Sequence, residues 1–322
     1  MENNKLHITQ KLKAEAQALG FSACGISPAE PIEKDIFCFY NKWLEKGYQA
    51  SMKYLENYPD KRENPALLLE GTKSIVSVAL NYCPAQTLPE NEFQLSWYAY
   101  GRDYHEVVKE KLELLLMNLQ KSFPEREIKG KTFCDTAPIL ERYWAWRSGL
   151  GWIGKNTLLI LPHKGSFFFL GELMLNIELE YDHPQENRCG NCTACLDACP
   201  THALESAHLL NANRCLSYLT IENKGNIPEW ALDKLGNCIY GCDRCQKACP
   251  WNKYCLPSDV TEFQPSERLL AMTTNEWDNL SPEDYQKLFK GSAVKRAKYN
   301  GLMRNIKAVV NSKSLPKDCE RQ

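Results

Sequence analysis

The cysteines of this 322-residue chain are the residues whose spacing most directly predicts a chemistry. Seven of them form two runs, Cys189-x2-Cys192-x2-Cys195-x3-Cys199-Pro200 and Cys242-x2-Cys245-x3-Cys249-Pro250. The first run has the spacing of bacterial two-cluster ferredoxins, in which three cysteines hold one [4Fe–4S] cluster and the fourth binds the other cluster. Zinc sites do not require this many cysteines in one run, and disulfide frameworks belong to secreted proteins. The spacing therefore predicts two iron–sulfur clusters and the transfer of single electrons.

The crossing pattern of such ferredoxins divides the cysteines between two clusters. The first cluster receives Cys189, Cys192, Cys195 and Cys249, and the second receives Cys199, Cys242 and Cys245. The second cluster needs one more ligand, and the spacing leaves two candidates, Cys215 and Cys238. Either of these two could instead be an ordinary core thiol.

Length and composition limit the class of protein. A chain of 322 residues predicts two domains with room for a core around a cofactor, and a net charge of −1 gives no global attraction to nucleic acid. The N-terminus has no apolar stretch of signal-peptide length, and Gly171 and Glu172 interrupt the longest apolar run. We therefore expect no membrane span, and fifteen cysteines without an export signal predict a reducing cytoplasm.

The elements that must position these cysteines begin with a mixed α/β domain, predicted over residues 1–185. The expected elements are an amphipathic helix over residues 6–16, a strand over 21–26, a buried strand over 74–82, a helix over 105–123 and a strand over 166–181 that breaks at Gly171. Residues 186–257 are predicted to form the cluster-binding domain, whose loops are held by metal rather than by a core. Residues 258–322 are predicted to form a helical tail with turns at Pro265 and Pro282.

Two polar segments of the first domain could line a ligand site. Asp135 lies in a segment dense in polar and aromatic residues. Gly149, Gly151 and Gly154 follow it, and glycines allow a backbone to approach a flat or phosphate-bearing ligand closely. The G-x-x-x-x-G-K-[ST] pattern of a phosphate loop is not matched, so we do not expect ATP.

A third segment, at residues 101–105, has a partial cofactor motif. Asp103-x-His105 begins like the D-x-H-x-x-G motif of cobalamin proteins that bind cobalt through histidine, but the glycine is missing. We interpret His105 as an ordinary polar residue at the start of a helix. If a corrinoid binds, its cobalt should have no histidine ligand from this segment.

A basic segment lies near the C-terminus. Residues 287–317 contain nine lysines or arginines and no aspartate or glutamate, with Phe289 and Tyr299 interleaved. A solvated helix face is the commoner explanation of such a stretch. A contact with the phosphate backbone of a nucleic acid is the alternative.

Several segments together resemble the epoxyqueuosine reductase family, cobalamin- and iron–sulfur-dependent enzymes of queuosine synthesis in tRNA. The similarity extends from residue 12 to residue 306 and is carried by residues 98–105, 135–138, 149–157, 214–222, 239–252 and 291–306. Runs of this length are specific to the family, whereas the ferredoxin spacing alone would not identify it.

The resemblance implies an α+β fold: a nitroreductase-like α/β domain that holds base-off cobalamin, a ferredoxin-like domain with two [4Fe–4S] clusters, and a short helical tail. It assigns Cys215, rather than Cys238, to the second cluster, and it makes Asp135 the proton donor. The residues expected to contact cobalamin are Tyr98, Tyr100, Asp135, Arg142, Lys155, Asn156, Thr157 and Asp243. Those expected to contact tRNA are Lys295, Arg296, Lys298 and Arg304. Many members of the family continue into HEAT-like repeats that this tail largely lacks, so part of the tRNA contact is expected to be missing or supplied differently.

The activity implied is the reduction of epoxyqueuosine to queuosine in the anticodon loop of a queuosine-type tRNA. An external one-electron donor (a flavodoxin, a ferredoxin or a reductase) is expected to supply electrons through the two clusters to cobalamin. The modified base must be extruded to react, and Asp135 can donate a proton if burial raises its pKa. Two alternatives are an electron-transfer iron–sulfur protein, which needs no large α/β domain, and a reductive-dehalogenase-like corrinoid reductase of a small molecule, which needs no basic tail.

Overall fold

The computed structural model describes residues 2–314, without the side chains of residues 2–4, 313 and 314. Lys317, the last residue of the basic segment, lies outside the described residues. Between residues 2 and 314, no helix has both the length and the apolarity that a membrane span requires.

The described chain contains α-helices, short 3-10 helices and short strands. The α-helices are α1 (Glu2–Ala18), α2 (Lys34–Glu45), α3 (Pro59–Glu63), α4 (Tyr104–Ser122), α5 (Glu141–Arg147), α6 (Ala194–Asp197), α7 (Leu216–Ile221), α8 (Glu229–Leu235), α9 (Arg244–Lys247), α10 (Glu267–Leu270), α11 (Thr274–Asp278), α12 (Pro282–Leu288) and α13 (Lys298–Ser314). The strands are β1 (Ala23–Pro28), β2 (Ser74–Asn81), β3 (Gln94–Leu95), β4 (Gly130–Phe133), β5 (Trp152–Ile153), β6 (Leu159–Ile160), β7 (Phe168–Leu175), β8 (Leu204–Ser206), β9 (Leu209–Leu210) and β10 (Cys238–Tyr240). The 3-10 helices are Lys53–Leu55, Pro65–Leu68, Trp97–Ala99, Ala212–Arg214, Pro250–Tyr254, Thr261–Phe263 and Ala293–Ala297.

A four-stranded antiparallel sheet, in the order β1-β2-β7-β4, forms the centre of the first domain. Side chains alternate between the two faces of a strand, so the apolar run of β2 serves two helical layers. Val76, Val78 and Leu80 pack in a core with α1 and α4. Ile75, on the opposite face, packs in a core with residues of α2 and α5. The predicted helices and buried strands of this domain are confirmed.

The prediction of a break at Gly171 is wrong, because β7 runs through this residue and pairs it with Val78 of β2. A Cβ atom at position 171 would lie 2.7 Å from Val108 Cγ1 and 2.9 Å from Leu112 Cδ1 of α4. The glycine therefore permits close packing of α4 on the strand. The strand ends at Leu175, six residues before the predicted end at Tyr181.

A second core lies beyond the sheet. It combines residues 88–100 with residues 216–309, and Trp277, Leu302 and Ile306 are fully buried in it. Parallel pairing of β3 with β10 joins the two sequence regions directly. The prediction that the cluster-binding region is held by metal rather than by a core is therefore wrong for the segment between the cysteine runs, because its apolar side chains pack in this second core.

The two cysteine runs have the same local fold. A one-turn helix follows the first cysteines of each run, and it contains Cys195 in α6 and Cys245 in α9. These two short helices contact each other. Each run then ends in a cysteine followed by proline, and Pro250 begins a 3-10 helix. Proline favours an extended conformation in the residue before it, which turns the chain away after the last cysteine.

Candidate functional site

Four cysteines of the two runs line one small cavity. They are Cys189, Cys192, Cys195 and Cys249, and the rest of the wall consists of Lys155, Asn156, Ile160, Pro250 and Trp251. These four thiols are the set that the crossing pattern predicts for the first cluster. Lys155 Nζ donates to the carbonyl oxygens of Gly190 and Cys192, at 2.7 and 2.9 Å. These two bonds tie the first cysteine loop to the α/β domain.

Three further cysteines, Cys199, Cys215 and Cys245, lie near one another. Burial raises the pKa of Cys245 to about 12, and the adjacent thiols of Cys215 and Cys199 act in the same direction. Cys238 instead forms a thiol–thiol hydrogen bond with Cys242. Cys215 thus approaches two of the three cysteines predicted for the second cluster, whereas Cys238 is hydrogen-bonded to the third.

A cavity of about 640 Å³ lies where the two cores meet. Five tyrosines line it: Tyr54, Tyr98, Tyr104, Tyr218 and Tyr240. The same wall contains Asp135, Cys215 and Arg296. The predicted proton donor, a predicted cluster ligand and a residue of the basic segment therefore share one cavity, although they lie far apart in the sequence.

Asp135 presents its carboxyl group to this cavity from the loop that follows β4. Its backbone is left-handed, with φ of 56°, a conformation that residues other than glycine seldom adopt. Tyr104 Oη donates to Asp135 Oδ2 at 2.5 Å, and His105 Nε2 lies 3.2 Å from the same oxygen. His105 Nδ1 lies 2.6 Å from Asp103 Oδ1. The imidazole is therefore held between two carboxyl groups.

This arrangement determines which group holds a proton. Burial pulls the pKa of His105 down, but its hydrogen bonds to Asp103 and Asp135 outweigh burial and raise the pKa to about 9. Burial alone would raise the pKa of Asp135, but its hydrogen bonds with His105 and Tyr104 lower it overall. The expected rise of the Asp135 pKa is not found, because the hydrogen bonds with His105 and Tyr104 and the charges of His105 and Arg142 outweigh burial. At neutral pH the proton of the pair resides on His105.

Of the residues predicted to contact cobalamin, Tyr98 and Asp135 line the large cavity. Arg142 lies near it, since its charge helps to lower the pKa of Asp135. Its Nη1 donates to the backbone carbonyl and the hydroxyl of Thr157, at 2.6 and 3.1 Å. Thr157 therefore fixes Arg142 beside the cavity. Tyr100 lies elsewhere, 5% exposed within the second core.

The remaining residues of that set lie next to cysteines. Lys155 and Asn156 line the first cysteine cavity rather than the large one, so the segment they belong to packs against a cluster loop. Asp243 follows Cys242 and accepts a hydrogen bond from the backbone N–H of Trp97 at 2.8 Å. Burial raises the pKa of Asp243. The family resemblance implies that these residues contact one cofactor together with Tyr98, whereas in the structure Lys155 and Asn156 line a different cavity from Tyr98.

Three of the residues predicted to contact tRNA are exposed: Lys295, Arg296 and Lys298. Arg296 donates through Nε and Nη2 to the Glu222 carboxylate, at 2.7 and 3.0 Å, and both residues line the large cavity. The basic segment thus reaches the edge of the site that contains Asp135.

Arg304, the fourth residue of that set, has a structural role. Its guanidinium donates to the carbonyl oxygens of Leu219, Asn223 and Gly225 at 2.5–2.9 Å, and also to Asn305 Oδ1. Burial lowers the pKa of Arg304. Through these hydrogen bonds Arg304 joins α13 to α7 and to the loop that follows α7.

Sequence reasoning missed the role of His105. The signal was present, because Asp103 caps the helix that His105 enters and thereby places a carboxylate beside the imidazole. The incomplete cobalt-binding motif instead favoured the interpretation of His105 as an ordinary polar residue at the start of a helix. Tyr54, Tyr218 and Glu222 were also missed, since no common spacing connects them.

Two family descriptions match the chain. Residues 188–252 match a 4Fe–4S double cluster binding domain, which confirms the predicted pair of iron–sulfur sites. Residues 62–136 match the family described as "Epoxyqueuosine reductase QueG, DUF1730".

Whole-length relatives carry the same description. An epoxyqueuosine reductase of Cellulophaga algicola is 43% identical over 306 residues, which cover 94% of this chain and 98% of the relative. One of Leadbetterella byssophila is 45% identical over 298 residues, which cover 92% of this chain and 97% of the relative. A crystal structure of an epoxyqueuosine reductase with an epoxyqueuosine-modified tRNA-Tyr stem loop is 31% identical, has a TM-score of 0.85 and covers 95% of this chain and 81% of that chain. The predicted α+β fold class is confirmed by these matches.

Proposed function

The chain belongs to the epoxyqueuosine reductase family of oxidoreductases, and we propose that it reduces epoxyqueuosine to queuosine in the anticodon loop of a tRNA. One observation carries this proposal: a single cavity is lined by Asp135, Cys215 and Arg296. Conversion of the epoxide to the alkene consumes two electrons and two protons and releases water. This reaction needs a proton source, a route for electrons and a cation that binds the phosphate backbone. A simple electron carrier would need only the route for electrons.

The cysteine positions fit two cubane clusters. Cys189, Cys192, Cys195 and Cys249 would hold the first cluster, around the cavity that they line. Cys199, Cys215, Cys242 and Cys245 would hold the second, and Cys215 also lines the large cavity. The second cluster would therefore be the one next to the substrate site, and the first would accept electrons from an external one-electron donor. Such clusters, when bound, supply electrons one at a time.

The large cavity also fits a corrin. Its tyrosine-rich wall and its volume of about 640 Å³ suit a broad, flat macrocycle whose face is partly apolar. Tyr98 would contact the ring, and Arg142 would contact its polar substituents. Both ring nitrogens of His105 are engaged by carboxyl groups, so this histidine would not serve as a metal ligand. Cobalamin, when bound, supplies a strongly reducing and nucleophilic metal centre for opening an epoxide.

We assign the donated proton to the Asp135–His105 pair. Opening of the epoxide leaves an alkoxide. Two carboxyl groups line the cavity, and Glu222 is paired with Arg296, whereas Asp135 contacts His105 and can protonate the alkoxide. His105 holds the proton before the substrate arrives. Filling the cavity would remove water from Asp135 and raise its pKa, which favours transfer of the proton from the imidazole to the carboxyl group.

The basic segment would hold the anticodon loop at the cavity. Arg296 lies at its edge, and Lys295 and Lys298 are exposed within two residues of Arg296 in the sequence. Contacts with phosphate would keep the loop in place while the modified base leaves the stack and enters the cavity. Arg304 is not part of this contact, because its donors bind backbone carbonyls.

The test is an assay with tRNA that carries epoxyqueuosine. Anaerobically reconstituted protein with cobalamin and a chemical reductant should convert the modified nucleoside to queuosine, as measured by mass spectrometry of digested tRNA. Asp135→Asn should lower the rate by about 10²–10⁴-fold, the usual contribution of a general acid. Asp259→Asn, a change at an exposed aspartate distant in sequence from the cavity residues, is the control. A parental rate in Asp135→Asn would remove the proton-donor role, and absence of conversion by the parent would remove the function.

A further inference from the structure

Glu172 is an ionisable residue in the middle of the central sheet. It is 0% exposed, and its strand neighbours are Ser77 of β2 and Phe133 of β4. Neither carboxyl oxygen of Glu172 has a hydrogen-bond donor in the described part of the protein. A buried carboxylate without a donor is very unfavourable, so this side chain requires an explanation that the reaction above does not give.

The side chain next to Glu172 is another carboxyl group, that of Glu141. Glu141 begins α5, and its carboxyl group lies within hydrogen-bonding reach of Glu172. If both were ionised, neither could donate, and two negative charges would face each other in a buried place. With one proton between them, Glu172 donates to Glu141, and one of the two unpartnered oxygens of Glu172 gains a partner.

Glu141 in turn holds the loop of Asp135. The backbone N–H of Asp135 donates to Glu141 Oε1. Asp135 has a left-handed backbone, and such a conformation persists only when surrounding contacts impose it. The hydrogen bond from Asp135 to Glu141 is a contact of that kind, and it fixes where the Asp135 side chain enters the cavity.

We propose that Glu172 is protonated and donates to Glu141, and that this carboxyl pair positions Asp135 by accepting the hydrogen bond from its backbone amide. Glu172 and Glu141 are thus positioning residues that act through Asp135. With Glu172 protonated, the pair carries at most one negative charge beside the carboxyl group that must receive a proton, since burial and the charge of Asp135 also raise the pKa of Glu141, to about 8. The charged and titratable groups that face the pair are Asp135, His105, Arg142 and Cys134.

The first experiment detects the proton directly. Infrared spectroscopy of the cluster-loaded protein at neutral pH, in H2O and D2O, should show the carbonyl stretch of a protonated carboxylic acid. Glu172→Gln keeps the shape and a donor N–H, and this variant should lose the band. Glu283→Gln, at an exposed position, should keep it. Absence of the band from the parent, or its persistence in Glu172→Gln, would overturn the proposal.

The second experiment detects the positioning. Glu172→Ala removes the donor that Glu172 provides to Glu141. Hydrogen–deuterium exchange of the peptide that contains Asp135 should then be about five- to tenfold faster than in the parent, as expected for the weakening of one hydrogen bond. Glu172→Gln should exchange within about twofold of the parent, since the amide replaces the donor. Equal exchange in the parent and in a folded Glu172→Ala would overturn the positioning role. If Glu172→Ala does not fold, Glu141→Ala removes the acceptor of the Asp135 amide directly, and parental exchange in that variant would also overturn the positioning role.

Neither measurement requires tRNA or turnover. A failure of this proposal is therefore distinguishable from a failure of the proposed function, although the consequence for catalysis rests on the role proposed for Asp135.

Discussion

Asp103 offers a way to move the pH dependence of the reaction without changing the cavity wall. Its Oδ1 lies 2.6 Å from His105 Nδ1, and this contact is the largest of those that raise the pKa of His105 from 6.5 to about 9. Asp103→Asn removes the charge but keeps an oxygen that can cap α4, because asparagine is as good a capping residue as aspartate. The perturbation is thus confined to the proton on His105.

The size of the effect follows from these contacts. The rise in the pKa of His105 corresponds to about 3 kcal/mol of preference for the protonated form. The side chains of His105 and Asp103 are 32% and 28% exposed, so solvent screening reduces this free energy. We assign about 1.4 kcal/mol of it to Asp103, which corresponds to a shift of about one unit in the pKa of His105. Loss of the carboxylate should then lower the rate about threefold at pH 8.5 and about eightfold at pH 9.5, with no change at pH 6.5.

The assay is single-turnover conversion of epoxyqueuosine in a tRNA stem loop by chemically reduced enzyme, followed from pH 6 to about 10. The parental rate should be level at neutral pH and fall above about 9, as His105 loses its proton. Glu106→Gln, an exposed change in the first turn of the same helix, should leave this profile unchanged. Two results in Asp103→Asn would refute the assignment of the proton to His105. One is a rate that begins to fall at the same alkaline pH as in the parent, and the other is a rate that is reduced by the same factor at every pH.

Three further predictions follow from other parts of the structure. Cys215→Ser should lower the iron content from about eight to about four atoms per chain, whereas Cys238→Ser should leave it unchanged. Iron analysis and the visible spectrum measure both variants, and the reverse result would make Cys238 the cluster ligand instead of Cys215. Arg296→Glu with Lys298→Glu should weaken binding of the tRNA stem loop and flatten the dependence of affinity on salt by about two phosphate contacts, and an unchanged salt slope would exclude this segment from the interface. Gly171→Ala should destabilise the protein by about 1–3 kcal/mol, because the new methyl group would meet α4 at 2.7 Å; thermal unfolding measures it, and a melting temperature equal to that of the parent would contradict the packing argument.

The cysteine pattern and the long apolar runs predicted the main features of this protein. Local spacing indicated which thiols meet, because a run of cysteines surrounds a metal site within a few residues of itself. Strand β2 and helix α4 were predicted for a similar reason, since their apolar periodicity reflects a fixed burial pattern. Gly171 shows the limit of this approach: a glycine in a strand pattern signals either a break or a close neighbour, and the neighbour, α4, is remote in sequence.

The wall of the large cavity could not be read from spacing. Tyr54, Tyr218 and Glu222 meet there only because the second core brings residues after the first cysteine run against the sheet domain. The direction of the Asp135 pKa was also beyond the sequence, because it depends on competition between burial and the hydrogen bonds from His105 and Tyr104. The sequence shows Glu172 within an apolar run, but its burial and its contact with Glu141 are seen only in the structure.

The short parallel pairing between β3 and β10 has a consequence for dissection of the molecule. Gln94 N–H donates to the Asn237 carbonyl at 2.7 Å, and Ser96 N–H donates to the Tyr240 carbonyl at 2.8 Å. A strand that precedes α4 thereby completes a core that otherwise belongs to the C-terminal half. A C-terminal fragment that begins at the first cysteine run would lack β3. The two halves should therefore behave as one cooperative unit in limited proteolysis, and neither should fold as a separate module.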